Sequence, residues 1–187
     1  MIPLRRRRDE PHLLVVGMTG VRMGDRVAQV GCAHGGRLAA VASKVGITGR
    51  AVAYVPDDAS AARARKAAED AGVLVEIEVA PTTRLPADQE AFDLVVVDDT
   101  GGLLGTMRAE DRVATVRELL RILRPGGRAV VIGGAPRGGL GALFGRGSSA
   151  APRFNPVPSL EADGFKLVRT LAERDGLAFV EGVKPKA

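Results

Sequence analysis

The sequence predicts a doubly wound α/β fold, a mostly parallel sheet with helices on both faces and an antiparallel hairpin at its edge. Three observations lead there. The stretch Arg26-Val27-Ala28-Gln29-Val30-Gly31-Cys32-Ala33-His34-Gly35-Gly36 is a short apolar run ending in a glycine-rich turn, as an open parallel sheet begins when its first turn faces a nucleotide-like ligand. Strand-like and helix-like segments then alternate five times. Last come two runs, Phe165 to Arg174 and Leu177 to Val183, around Asp175-Gly176, a two-residue hairpin signal.

Taken in order, His12 to Met18 reads as a short helix against the sheet, closed by the turn region Gly17 to Gly24. Val27, Ala28 and Val30 form a buried strand, and Gly31, Gly35 and Gly36 let the backbone turn where a Cβ would be excluded. Leu38, Val41, Ala42 and Val45 recur at helical spacing, which predicts a helix from about Arg37 to Lys44. A second strand, Arg50 to Val55, stops at Pro56. Asp57 or Asp58 caps a helix from Ala59 to Ala71, and Gly72 ends it. Val73 to Val79 alternates apolar with more polar residues, as an outer strand does. After a loop from Pro81 to Glu90, Phe92 to Val97 is a fully apolar strand that delivers Asp98 and Asp99 at its C-terminal end, where open α/β sheets bind ligands. Val113, Val116, Leu120 and Leu123 mark a helix stopped by Arg124-Pro125-Gly126-Gly127, and strand Arg128 to Gly133 follows. The stretch 135–158, rich in Gly, Pro and Ser, is too long for an ordinary connection and reads as a lid or interaction segment. A short helix, Ser159 to Ala162, precedes the closing hairpin.

The 187 residues suit one domain, 11–187, after a flexible basic tail, 1–10, that contains Arg5 to Arg8. The apolar residues are mainly Ala, Val and Leu; there is no Trp and Tyr54 is the only Tyr, which argues against a stacking-based nucleic-acid binder. A net charge of +5 leaves anionic small-molecule partners open. Cys32 is the only cysteine, so no internal disulfide can form. With no secretory signal pattern and no long apolar span, the expectation is a cytoplasmic protein without transmembrane helices. With only two histidines no histidine-based metal cluster is expected. His34 reads as a loop residue and Cys32 as a packed one; Arg137, Arg146 and Arg153 are candidates for a substrate anion. Phe144 and Phe154, with Leu140 and Leu143, would either cover an apolar ligand or pin the long loop.

The residues resemble the class I methyltransferases that use S-adenosylmethionine. The resemblance runs from about Val21 to the C-terminus and rests on Val30-Gly31-Cys32-Ala33-His34-Gly35, on Arg84-Leu85-Pro86 before Phe92 to Val97, on Leu123-Arg124-Pro125-Gly126-Gly127 and on Glu173-Arg174-Asp175-Gly176. It implies a Rossmann-like sheet of seven strands whose last is antiparallel, S-adenosylmethionine over the first glycine turn, and a small-molecule methyl acceptor. By the family's acid-x-Gly-x-Gly-x-Gly pattern, Gln29, Gly31, Ala33 and Gly35 would seat the cofactor, with Gln29 in the acidic position. Val55 occupies the position of the ribose-binding carboxylate, with Asp57 as its nearest substitute. Pro81 takes the place of an Asp near the adenine, where Thr82 and Thr83 offer hydroxyls instead. Asp98 and Asp99 are the candidate catalytic carboxylates facing the acceptor, as base or orienting groups or as holders of a divalent metal. A methyltransferase-like module that has lost cofactor binding is the alternative, motivated by Gln29, Val55 and Pro81. A nicotinamide oxidoreductase, on the weak fingerprint Gly31-x-Ala33-x-x-Gly36, is a further one. Oligomeric state stays open, a homo-oligomer included.

Overall fold

A computed structural model describes residues 12–135 and 154–186. The elements in chain order are α1 (Leu13–Thr19), β1 (Arg26–Val30), α2 (Gly35–Val45), β2 (Arg50–Val55), α3 (Asp58–Ala71), β3 (Glu76–Val79), β4 (Phe92–Asp98), α4 (Ala109–Ile122), β5 (Leu123–Gly134), α5 (Val157–Ala162), β6 (Lys166–Arg174) and β7 (Leu177–Val183). They form one seven-stranded sheet in the order β3-β2-β1-β4-β5-β7-β6. Strands β1 to β5 pair in parallel, and β7 runs antiparallel to both β5 and β6. The antiparallel strand therefore lies one place in from the edge, with β6 outside it.

Both faces of the central strands are covered, so β4 is apolar at successive positions rather than at alternate ones. Its Val95 and Val97 join Ala28, Val30, Val131 and the α4 residues Val116 and Leu119 on one face. Leu94 and Val96 join Val27, Val130, the α1 residue Val15 and the α2 residues Val41 and Val45 on the other.

Some boundaries move for identifiable reasons. The edge strand β3 is confined to Glu76–Val79 because Gly72, at φ +64°, caps α3 and the Val73 N–H bonds back to the Ala68 carbonyl at 3.0 Å, so the next residues complete the cap. The strand–helix alternation is interrupted between β3 and β4, where 80–91 is a loop. The Arg121 guanidinium donates to the Ala87 carbonyl at 2.8 Å and the Leu85 carbonyl at 3.1 Å, and the Leu85 N–H donates to Glu118 at 2.9 Å. Helix α2 opens at Gly35, two residues before the expected start at Arg37. Helix α5 opens at Val157, whose N–H donates to the Asn155 side chain at 3.1 Å. The tail 1–10 and the candidates Arg137, Leu140, Leu143, Phe144, Arg146 and Arg153 lie outside the described residues.

At the sheet's N-terminal end Asp93 accepts from the Arg26 N–H at 2.8 Å, from the Arg26 guanidinium at 3.2 Å and from Arg124 at 2.5 Å. Burial disfavours its charge, but these donors outweigh it and hold the carboxyl down at about 2. A carboxylate depressed below its unfolded value near 4 contributes stability above that pH and loses it as pH falls through the folded value. Between pH 5 and pH 2 Asp93 should therefore account for a loss on the order of 2 kcal/mol. In urea unfolding over that range, Asp93→Asn should give a flatter acid limb than the parent; an unchanged limb would refute the assignment.

Candidate functional site

The site grows from the end of β1. Gly31 sits at φ +80°, and its N–H donates to the Tyr54 carbonyl of β2 at 2.8 Å. A Cβ there would lie 2.9 Å from Leu103 Cδ2 and 3.1 Å from the Asp98 carbonyl oxygen. The missing side chain thus lets the turn after β4 approach the turn after β1. Gln29 is buried beneath; its Nε2 donates to the Gly31 carbonyl at 3.1 Å, and its Oε1 has no partner among the described residues. Cys32 is buried, and burial together with the nearby Asp98 charge pushes its thiol up to about 11, which leaves it unreactive at neutral pH.

Asp98, at the end of β4, fastens this turn. Its side chain is 1% exposed and accepts from the His34 N–H at 3.1 Å, from Arg37 Nη1 at 3.1 and 3.3 Å, and from the Thr100 hydroxyl at 2.6 Å. Arg37 also donates to the Thr100 hydroxyl at 2.7 Å. One carboxylate therefore joins the start of α2, the β4 terminus and the following turn. Asp99 has a different task, accepting from the Leu104 N–H at 2.6 Å to close the turn 99–104. Burial raises its carboxyl above the usual range, against the backbone hydrogen bonds that favour its charge.

Between these turns lies a cleft of about 450 Å³ at the C-terminal ends of β1 and β4, walled by Gly31 and Ala33 on one side and Gly101, Gly102 and Leu103 on the other. Pro56, Ser60 and Arg63 close the α3 side, and Thr106 and Asp98 complete the wall. A Cβ on Gly101 would lie 3.2 Å from the Ala33 methyl, so that glycine makes room for the Ala33 side chain.

Of the residues singled out from sequence, Gly31, Cys32, Ala33 and Asp98 line the cleft together. The others lie elsewhere. Gln29 is beneath the turn. Gly35 is required by helix packing, since a Cβ would come 2.5 Å from the Ala67 Cβ and 3.0 Å from the Arg63 carbonyl oxygen. The Val55 side chain is fully buried against Leu38, Ala61 and Ala64, and its carbonyl accepts the Ala80 N–H at 3.0 Å. Asp57 is an exposed N-cap that accepts the Ser60 N–H at 2.7 Å, and Ser60's hydrogen bonds hold its carboxyl below the usual range. The Thr82 hydroxyl pairs with that of Thr115 at 2.9 Å, which ties the β3–β4 loop to α4. His34 is exposed and contacts the ring of His12 edge-on at 5.4 Å. Phe154 packs on the α4 side of the core, with the Arg112 guanidinium 4.6 Å from its ring centroid. Among the described residues no group of His, Cys, Asp and Glu could hold a metal ion.

Sequence reasoning missed Ser60 and Arg63, which face the cleft. Their i, i+3 spacing places them on one side of α3, but the Ala-rich segment carries no other sign of a ligand. Arg63 has no side-chain hydrogen bond or ion pair among the described residues, and so brings a free guanidinium to the wall.

The family model described as a methyltransferase domain matches residues 27–127, from β1 through the turn before the main run of β5. This chain belongs to the methyltransferase domain family. The domain is 27% identical over 119 residues to the ubiquinone/menaquinone biosynthesis C-methyltransferase UbiE of Idiomarina loihiensis, a match covering 63% of this chain and 45% of that protein. It is 30% identical over 150 residues to an uncharacterized protein of Mycobacterium tuberculosis, covering 80% of this chain and 50% of the other. The chain thus spans about half the length of the curated relatives it matches. In fold, the methyltransferase domain is similar to an S-adenosylmethionine-dependent methyltransferase from Aquifex aeolicus, with a TM-score of 0.73 at 17% identity over 91% of this chain and 88% of that one. It also resembles the [4+2]-cyclase SpnF, with a TM-score of 0.70 at 20% identity over 93% and 79% of the two chains. S-adenosylmethionine is the cofactor named for the Aquifex aeolicus protein. The residues present suit it at the β1 turn, where Gly31 and Ala33 line the cleft and Gln29 Oε1 is a buried acceptor with no partner among the described residues. No helix among the described residues is long and apolar enough to cross a membrane.

Proposed function

We propose that this domain is an S-adenosylmethionine-dependent methyltransferase acting on a small-molecule acceptor. The observation that carries the reading is the Cβ-free turn at Gly31, fastened by Asp98 and open to a cleft of about 450 Å³ at the ligand-binding end of the sheet. When bound, S-adenosylmethionine supplies an electrophilic methyl group on a sulfonium sulfur. The chain contributes placement and exclusion of water. Gly31 and Ala33 form the floor that receives the cofactor, and the hydroxyls of Ser60 and Thr106 are its polar wall. Asp98 acts as a positioning residue: with its oxygens committed to His34, Arg37 and Thr100, it holds the turn in shape. Asp99 does the same for the opposite wall through Leu104.

Thermal unfolding with S-adenosylmethionine, S-adenosylhomocysteine and, as a control, NADH tests the reading. A ligand at 100 times its Kd adds about 2.7 kcal/mol, or roughly 5–10 °C in Tm for a domain of this size. Saturable shifts with both sulfur nucleosides and none with NADH are expected; no shift at millimolar S-adenosylhomocysteine would sink it.

A further inference from the structure

The opposite end of the sheet holds a second cavity, of about 550 Å³. By register, the middle of β5, the end of β7 and the start of β6 meet there, Arg128 opposite Val183 and Lys166 opposite Val183. This is the end away from Gly31. Its polar wall has three guanidiniums, those of Arg22, Arg128 and Arg169, against the single carboxylate of Glu181.

Glu181 is 4% exposed, and both of its oxygens are used. Oε1 accepts from Arg128 Nη1 at 2.8 Å, while Oε2 accepts from Arg169 Nε at 3.2 Å and Nη2 at 3.0 Å. Arg128 is clamped from its other side, donating to the carbonyls of Thr19 at 3.0 Å and Gly20 at 3.2 Å. Gly20, at φ +59°, makes this possible, since a Cβ would stand 3.0 Å from Arg128 Nη2. The buried carboxylate thus orients two cations and leaves N–H groups of both unused. Arg22 adds a third charge whose side chain makes no hydrogen bond or ion pair among the described residues. Among the described residues the lining carries three positive formal charges to one negative.

The apolar wall is as specific. Between Lys166 and Arg169 the β6–β7 register shifts, and in that gap Leu167 is held at φ +52° with 77% of its surface exposed. A leucine in the left-handed region is strained, and strain of this kind persists where the surroundings impose it. Here it sets Leu167 and Val168 beside the guanidiniums, with Val183 across from them.

We propose that this cavity is a binding site for a small organic anion, a phosphate or carboxylate carrying a short apolar chain. The arginines take the anionic head and the Leu167 bulge takes the chain. Calorimetric titration of the chain with hexyl phosphate, alongside inorganic phosphate, tests it. Hexyl phosphate should bind saturably and at least tenfold more tightly than inorganic phosphate, and should weaken at least tenfold in both Arg22→Ala and Arg169→Ala. Arg63→Ala, in the other cleft, should leave binding unchanged. Arg22→Ala removes an exposed side chain that is unpaired among the described residues, so its urea midpoint should match the parent's and its result stands even where Arg169→Ala disturbs folding. No saturable binding, loss of binding in Arg63→Ala, equal affinity for inorganic phosphate, or an unaltered Kd in Arg22→Ala would each overturn the proposal.

Discussion

Asp98→Ala is expected to destabilise the domain by about 3–5 kcal/mol, the range for removing one partner of a buried ion pair. The Asp98 side chain is 1% exposed and its partner Arg37 14% exposed, so the guanidinium left behind has little water to turn to. The His34 N–H loses its acceptor in the same step. At roughly 2–4 °C per kcal/mol for this length, Tm should fall by roughly 6–20 °C. Asp98→Asn should be milder, since the amide oxygen still accepts one of these donors while its NH₂ faces the others. Urea midpoints for the two variants give the comparison. A loss below 1 kcal/mol in Asp98→Ala would show that the network is dispensable, and the account of Asp98 as the fastening of the glycine turn would fail with it.

Gly31→Val should combine a stability loss with a loss of binding. A β-branched residue at φ +80° carries the left-handed penalty of about 1–2 kcal/mol, and overpacking adds about 1–3 kcal/mol. The contacts decide how the strain is relieved. Leu103 Cδ2, at 2.9 Å from the added Cβ, is the end of a side chain and can swing aside, but the Asp98 carbonyl at 3.1 Å is backbone. The turn after β4 must then shift, and that turn is a wall of the cleft. We expect a stability loss of about 2–5 kcal/mol and at least a tenfold weaker affinity for S-adenosylhomocysteine, measured by calorimetry on the folded variant. Gly17→Ala is the matched control: Gly17 lies in α1 with nothing within 4 Å of an added Cβ. Alanine in a helix interior is favoured there by about 0.5–1 kcal/mol. Equal ligand affinity in Gly31→Val and the parent would remove the glycine turn from the binding site.

The fold was largely legible because its signals are local. Two-sided burial writes β4 as one apolar run, helical spacing marks α2 and α4, and Gly31 announces a turn where a Cβ has no space. The candidate site was legible only in part. Asp98 and Asp99 stand side by side in sequence, yet one joins three elements while the other closes its own turn. Nothing in the dipeptide distinguishes them, since the difference comes from donors 61 to 64 residues away for Asp98 and five away for Asp99. Val55 stands at the right point of the strand order, but its side chain turns inward, and the α3 side of the cleft passes to Ser60 and Arg63.

What the sequence determined by itself was the set of strands and helices, the parallel core and the position of the glycine turn. These follow from periodicity and backbone freedom, which act over a few residues. Tertiary structure alone decided that β7 inserts between β5 and β6, that Asp98 meets Arg37, and that Glu181 gathers Arg128 and Arg169 at the far end of the sheet. Each is a pairing of polar groups or strand edges distant in the chain, where many partners satisfy the same chemistry and only the packed backbone selects among them.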